Sequence, residues 1–229
     1  MPDIGEVILQ KRKGTRSIRL TVAHDGTLRV SMPSWTPYAV GESFARSKAD
    51  WIKKHQSTKQ RHVFMSGERI GKAHRLRIYH ECRQSISTRV TQTEIAVRVP
   101  VDQAPSGDDV QAAVHKAAIR ALKQEAKQLL PQRLDSLAKQ HDFSYRRVDI
   151  KLLKSRWGSC NSKQEIALNC YLMQLPWDLI DYVLLHELMH TRIMAHGPRF
   201  WDELSEYVPA LSTKRKAIRA HQPALVAQE

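Results

Sequence analysis

The sequence predicts an α+β protein in which a β-rich N-terminal part is followed by a mainly helical C-terminal part. Two observations support this prediction. Polar and apolar residues alternate along residues 17–22 and 27–32, which is the period of a strand with one buried face. Beyond residue 108 the chain becomes rich in Ala, Leu, Lys and Gln, a composition that favours helices.

The N-terminal part reads as strands with one short helix between them. An Asp-Gly pair at residues 25–26 is a strong hairpin signal between the two alternating segments. Apolar residues at helical spacing then predict a short amphipathic helix over residues 37–52. Alternation returns at residues 76–79 and 94–99, where we expect two more strands.

A segment at residues 100–109 that contains Pro, Ser and Gly is the best linker candidate in the chain. No internal repeat is visible on either side of it. We therefore predict a β-rich N-terminal region over residues 1–104 and a second domain over residues 105–229.

The C-terminal part begins with a long helical stretch that Asp108 or Asp109 caps and that ends near residue 140. Pro131 is expected to mark a break in it or the start of a second helix. Strands are expected next at residues 147–153 and 165–172.

Two further helices are predicted nearer the C-terminus. Pro176 opens one whose apolar residues lie within 179–184, and another starts after Pro198. The basic tail at residues 214–219 is expected to lead into a frayed terminus.

The composition is that of an ordinary soluble globular protein, with 41% apolar and 26% charged residues among 229. No apolar run approaches the roughly 18–20 residues that a membrane-spanning helix needs. The first ten residues lack the pattern of a secretory signal. A sparse, odd set of cysteines argues against a disulfide framework and favours a cytoplasmic, reducing location. These cysteines are Cys82, Cys160 and Cys170.

Lys and Arg number 37 against 23 Asp and Glu, which gives a formal net charge of +14. Such a charge attracts polyanions, so nucleic acid is a candidate partner; a basic surface that only maintains solubility explains the composition equally well. Basic runs at residues 11–13 and 214–216 would suit phosphate contacts. No DNA-reading motif accompanies them, and the 7% of aromatic residues show no stacking pattern.

The segment His-Glu-Leu-Met-His at residues 186–190 carries the strongest chemical signal in the chain. On a helix, His186 and His190 lie about 40° apart around the axis and about 6 Å apart along it, so both imidazoles reach one metal ion. Glu187 is rotated by about 100° and stands beside the metal, where it can take a proton from a metal-bound water. This HExxH pattern, which composition alone seldom produces, predicts a metal-dependent hydrolase.

A third imidazole would complete a four-coordinate zinc site with one open position. His196 is the first candidate, since it follows the pair by six residues. It can join the pair only if the helix ends or bends after about residue 194, and a Gly-Pro pair suitable for this follows. If the helix continues, Glu203 or Glu206 supplies the third ligand instead.

The other histidines and the cysteines show no arrangement that carries chemistry. Cys160 and Cys170 are ten residues apart without CxxC pairing, so a structural zinc knuckle is not expected. We interpret the remaining histidines as surface or structural residues; they are His24, His55, His62, His74, His80, His115, His141 and His221.

Most of the chain resembles the YgjP-like metallopeptidase family, small HExxH proteins related to SprT- and WLM-type peptidases. The resemblance rests on Lys-Ser-Arg-Trp-Gly-Ser-Cys at residues 154–160 and Ile-Ala-Leu-Asn at residues 166–169. It continues through residues 181–190 and ends at His196 with Phe-Trp at residues 200–201.

The resemblance implies a zincin-like metallopeptidase core made of a helix, antiparallel strands, the HExxH helix and a C-terminal helix. It makes His186, His190 and His196 the ligands of one Zn²⁺ ion. It makes Glu187 the catalytic acid and base in the hydrolysis of a peptide bond. The family shows Asn-His-Ser around the third histidine, whereas this chain has Ala-His-Gly at residues 195–197, so the support of that ring is expected to differ.

The resemblance also implies how a protein or peptide substrate binds. An extended peptide would pair with the strand at residues 165–169, if that strand lies at a sheet edge. Tyr171, Tyr182 and Arg156 are candidate donors to the oxyanion. Two alternatives stay open: a nucleic-acid-associated role, since SprT relatives act on proteins attached to DNA, and a zinc site that only stabilises the fold.

Overall fold

The computed structural model describes residues 7–22, 28–50, 52, 62–221, 223 and 225 of the chain. The chain forms two compact units, residues 1–62 and 63–229. The predicted boundary between residues 104 and 105 lies inside the second unit, and as a boundary between domains it stays a prediction. In the described ranges, no helix combines the length and the apolar character needed to cross a membrane.

The described residues of the first unit include a three-stranded sheet and a helix. Its elements are β1 (Val7–Arg12), β2 (Arg19–Val22), β3 (Leu28–Pro33) and α1 (Tyr38–Ser47). β3 lies in the centre, parallel to β1 and antiparallel to β2, so the two alternating segments pair as predicted. Leu28 and Val30 on β3 and Ala45 on α1 are completely buried in one small core. α1 confirms the larger part of the predicted helix, and the Asp-Gly turn lies outside the described residues.

The second unit begins with a four-stranded sheet. Its strands are β4 (Arg69–Ile70), β5 (His74–Glu81), β6 (Ser87–Val90) and β7 (Glu94–Pro100), in the order β4-β5-β7-β6. The two predicted strands are therefore confirmed as β5 and β7, which pair in parallel. Leu76, Ile95 and Val97 on these strands are completely buried, and they share one core with the long helix α2 (Asp108–Gln140).

Helix α2 runs without interruption over 33 residues, so the break or second helix predicted at Pro131 is wrong. A proline inside a helix removes one backbone donor and costs about 3 kcal/mol. Leu130 and Leu134, on either side of it, are nevertheless completely buried. Packing of this apolar stripe into the core outweighs the local penalty.

A buried ion pair fastens α2 to the four-stranded sheet. Glu125 on α2 accepts hydrogen bonds from the backbone N–H groups of residues 72–74 and from Nδ1 of His74, the last at 2.6 Å. Nε2 of His74 donates to the carbonyl oxygen of Thr91 at 2.9 Å. Burial opposes the charge on both groups, but these hydrogen bonds outweigh it, so the pKa of His74 is raised and the pKa of Glu125 is lowered. His74 is thus a structural residue.

A second sheet follows α2, with the strands β8 (Arg147–Lys151), β9 (Gly158–Cys160) and β10 (Glu165–Asn169). β10 lies in the centre, parallel to β8 and antiparallel to β9. The two strands predicted here exist in shortened form, but they pair in parallel, and only β9 and β10 are antiparallel. The expectation that a peptide pairs with residues 165–169 is wrong, because β8 and β9 occupy both edges of β10.

Four helical elements complete the second unit. They are a 3-10 helix (Cys170–Gln174), α3 (Trp177–Met189), α4 (Pro198–Tyr207) and α5 (Leu211–Ala220). α3 and α4 begin at the prolines that predicted their starts. The basic residues 214–219 lie in α5, and Leu211, Ala217 and Ile218 of this helix pack against the core. The frayed terminus expected after them, beyond residue 225, lies outside the described residues.

Candidate functional site

Helix α3 positions the two histidines of the HExxH segment. Leu184 and Leu188 on this helix are completely buried, so its position in the core is fixed. His186 and His190 lie one turn apart, and their ring centroids are 4.9 Å apart. Both imidazoles therefore lie on one side of the helix, as their spacing in the sequence predicted.

The chain turns directly after α3 and brings His196 back to this pair. α3 ends at Met189, earlier than the bend expected from the sequence. Nε2 of His196 lies 3.0 Å from Nε2 of His190 and 3.0 Å from Nε2 of His186. Nitrogens bound to one tetrahedral zinc ion at 2.0–2.1 Å are about 3.3 Å apart, which is close to this arrangement. Among the described residues, these three histidines are a group that could hold a metal ion.

The surroundings favour the neutral form of His186 and His190, which is the form that binds metal. Burial, together with repulsion by His190 and His196, lowers the pKa of His186 to about 3. Burial also lowers the pKa of His190. Nδ1 of His190 lies 3.1 Å from the carbonyl oxygen of Ile193 and donates to it, so its Nε2 keeps a free lone pair.

Aromatic side chains from the first turn of α4 hold the ring of His196. The centroid of the Phe200 ring lies 4.8 Å from that of His196, at a steep angle. The Trp201 ring stacks on His196 at 5.5 Å with an interplanar angle of 23°. The departure from the family pattern around His196 is therefore accompanied by stacking support from a neighbouring helix.

Glu187 follows His186 on α3, about 100° around the helix axis, and its carboxylate lies against Gly158 of strand β9. The side chain is only 4% exposed, and among the described residues its Oε2 is buried without a hydrogen-bond partner, so it is free to accept a proton. Burial raises the pKa of Glu187 to about 8, and the positive charge of Arg156 opposes that rise. A buried carboxylate beside the three histidines has the properties of a general base.

Asn169 shapes the loop that passes Glu187, and its role could not be seen from spacing. This side chain is completely buried. Its Nδ2 donates to the carbonyl oxygens of Leu153 and Arg156, each at 2.8 Å, and its backbone N–H donates to Trp157 at 2.9 Å. Its Oδ1 accepts the N–H of Tyr171 at 3.2 Å. The signal in the sequence is a polar residue that directly follows the apolar segment at residues 166–168.

The other sequence candidates lie apart from this group. Glu203 pairs with Arg199 at 2.8 Å, and Glu206 is exposed, so the structure brings His196 rather than either carboxylate to the histidine pair. Burial raises the pKa of Cys160 and of Cys170 to about 11, so both stay protonated at neutral pH.

Comparison with known proteins identifies the family of the chain. A family model described as the YgjP-like metallopeptidase domain matches residues 16–221. The chain is also similar to the metallopeptidase zymogen abylysin of Pyrococcus abyssi, with 21% identity and a TM-score of 0.37 over 40% of this chain and 93% of that one. It is similar as well to the metallopeptidase zymogen jannalysin of Methanocaldococcus jannaschii, with 26% identity and a TM-score of 0.32 over 41% of this chain and 91% of that one. No curated protein matches the chain.

The match to the family model shows which family the chain belongs to. It includes the helix with the HExxH segment, the returning His196 and the loop and strands around Glu187. It covers nearly the whole chain and confirms the resemblance drawn from the sequence motifs. The chain belongs to the YgjP-like family of metallopeptidase domains.

Proposed function

We propose that the protein is a zinc-dependent peptidase in which His186, His190 and His196 hold one Zn²⁺ ion and Glu187 is the general base. The convergence of the three Nε2 atoms at 3.0 Å, next to a buried carboxylate, carries this proposal. Neutral imidazoles suit zinc. These residues lie in a layout that consists of a long helix, a small sheet, the HExxH helix and a C-terminal helix. We propose that this layout is zincin-like.

The chain's own groups divide the chemistry among them. When bound, zinc supplies a Lewis acid that makes a coordinated water acidic near neutral pH and polarises a carbonyl group. Oε2 of Glu187 accepts the proton of the attacking water and returns it to the leaving nitrogen. Of the three candidate oxyanion donors, Arg156 fits best, because it is exposed and its charge reaches Glu187, whereas Tyr171 and Tyr182 are buried.

Strand β9 is the edge at which we expect a peptide substrate to lie. In the part of the chain that the structure describes, it pairs with β10 along one side and with no strand along the other, so the backbone groups of that other side are available to a peptide. Gly158 at its start lies against Glu187. A peptide that adds to this edge by backbone hydrogen bonds would therefore pass the general base.

Metal content tests the ligand set. We expect about one zinc per chain in protein purified without chelator or metal-affinity resin, and much less in His196→Ala. Zinc retained fully in His196→Ala would move the third ligand to Glu203 or Glu206. Little zinc in both proteins, not restored by added zinc, would contradict the proposal.

A nucleic-acid-associated role remains the second proposal, and its support is the net charge of +14 together with the basic helix α5. Salt-sensitive DNA binding by the Glu187→Gln protein would support it. Absence of DNA binding at low salt would show that the positive charge only maintains solubility. A cytoplasmic location stays a prediction from cysteine usage.

A further inference from the structure

Helix α5 contributes an unbalanced positive charge beside the three histidines. Its ten residues include four basic residues and no Asp or Glu. These are Lys214, Arg215, Lys216 and Arg219. Within the described part of the chain, none of the four side chains forms an ion pair. Clustered charge of one sign raises the local concentration of ligands of the opposite sign.

Arg215 is held in a defined position close to the site. Its guanidinium carbon lies 3.6 Å from the centroid of the Trp201 ring. The Trp201 ring in turn lies 5.5 Å from the ring of His196 and 5.8 Å from that of His186. A guanidinium stacked on an indole keeps the N–H donors at its edge free and fixed in direction. Arg215 therefore presents an oriented cation one aromatic ring away from the histidines.

Arg219 lies one turn further along α5, on the same face as Arg215. Both act on Tyr182 of α3, one turn before His186: burial raises the pKa of the Tyr182 hydroxyl, and the two positive charges oppose that rise. The ring of Tyr182 lies 6.0 Å from that of His186. The positive charges of both arginines therefore act on the side of α3 that carries His186.

We propose that Arg215, supported by Arg219, forms a carboxylate-binding subsite that makes this peptidase selective for substrates with an acidic side chain near the scissile bond. This inference rests on the proposed function. The fork of a guanidinium matches a carboxylate in two parallel hydrogen bonds. An extended peptide advances about 3.3 Å per residue, so the acidic residue would lie within about three residues of the bond that is cut.

An acidic peptide fits this cluster better than a nucleic acid does. Two arginines one turn apart concentrate positive charge in one small area. A nucleic-acid site instead needs basic residues spaced along the phosphate backbone. His196 and Arg215 both stack on the ring of Trp201, so this ring is not available to stack on a nucleic-acid base.

The test uses the zinc-loaded full chain and two fluorescein-labelled peptide pools that differ only in Glu or Gln at the third residue on either side of the centre. Affinity is measured by anisotropy on the Glu187→Gln protein, and kcat/KM on the wild type. We expect the Glu pool to bind and react about 10-fold better, as a charged hydrogen bond provides. Adding Arg215→Met, which keeps apolar packing on Trp201, should abolish this preference, whereas the matched Lys216→Met should retain it.

The outcomes separate this inference from the proposed function. Equal affinity for both pools, or a preference that survives Arg215→Met, overturns the subsite even where zinc content and hydrolysis are as proposed. A preference lost equally in Lys216→Met is a general charge effect and also overturns it. If neither pool is cut but Arg215→Met abolishes selective binding, the subsite holds and the proposed peptidase activity fails. Displacement of the Glu pool by a short single-stranded oligonucleotide with higher affinity would assign α5 to nucleic acid instead.

Discussion

Gly158 leaves the space that the carboxylate of Glu187 occupies. A Cβ atom at residue 158 would lie 2.6 Å from Oε1 and 2.8 Å from Cγ of Glu187, closer than packed atoms tolerate. Pairing of Gly158 with Leu168 in the sheet holds the strand at this distance from α3. The small sheet and the HExxH helix therefore meet at the side chain proposed as general base.

The first prediction concerns this contact. Gly158→Ala should lower kcat by about 100-fold or more, because a displacement of about 1 Å at a catalytic group has that effect. Zinc content should stay near one per chain, since the three atoms nearest to the added Cβ all belong to Glu187 and none to a histidine. Gly197→Ala is the matched control, because a Cβ there meets nothing within 4 Å. Unchanged kcat in Gly158→Ala would show that the carboxylate position does not limit the reaction.

The second prediction separates metal binding from catalysis. Glu187→Gln should keep zinc and lose about 10²–10⁴ of the hydrolysis rate, because the amide cannot accept the proton of the water. Elemental mass spectrometry and peptide cleavage on the same sample measure both properties. Full activity in this variant would refute the role assigned to Glu187.

The third prediction concerns the loop that Asn169 holds. Asn169→Ala should lower the free energy of unfolding by about 2–5 kcal/mol, since it removes a completely buried side chain that forms hydrogen bonds with the backbone of Leu153, Arg156 and Tyr171. Urea unfolding measures this loss. Asn161→Ala removes an exposed turn residue that bonds Glu165, and its effect should be clearly smaller. Equal losses of unfolding free energy in both variants would mean that the burial of Asn169 does not add to the stability of the protein.

The fourth prediction is a pH window for the pair of His74 and Glu125. The raised pKa of His74 adds stability that is complete below its ordinary value of 6.5 and is lost as pH rises through the folded value. The lowered pKa of Glu125 adds stability that is complete above its ordinary value of 4.5 and is lost as pH falls through the folded value. Both contributions are therefore complete between pH 4.5 and 6.5.

Urea unfolding of the wild type and of His74→Gln from pH 3.5 to 8.5 measures this window. The difference between the two proteins should be largest inside it and should decrease on both sides. The exposed His80 on the same strand provides the control His80→Gln. A difference that does not vary with pH would show that the pair is not charged in the folded protein.

The strands and helices with strong periodicity were predictable from sequence. β2 and β3 pair as their alternation predicted, and α3 and α4 begin at their prolines. The errors arose where packing overrides a local signal. Helix α2 passes through Pro131, and α5 forms in a segment that reads as a charged tail.

Strand pairing was a second source of error, because a strand pattern does not specify its neighbour. Alternation at residues 147–153 and 165–172 says which side chains face inward but not which strand lies beside which. The chain between them adds β9, which takes the edge that was expected for β10. The proposed substrate edge moves with it.

By itself, the sequence determined the family and the identities of the residues proposed for the site. The spacing of His186 and His190 determines how far apart the two side chains lie along and around the helix, because α-helices share one pitch. Glu187 follows from the same periodicity.

Only the tertiary structure decided what comes from distant parts of the chain. It brought His196 back by ending α3 early, placed Gly158 against Glu187 and stacked Arg215 on Trp201. These contacts depend on how separate elements pack into one core, and no local period encodes the distance between two elements.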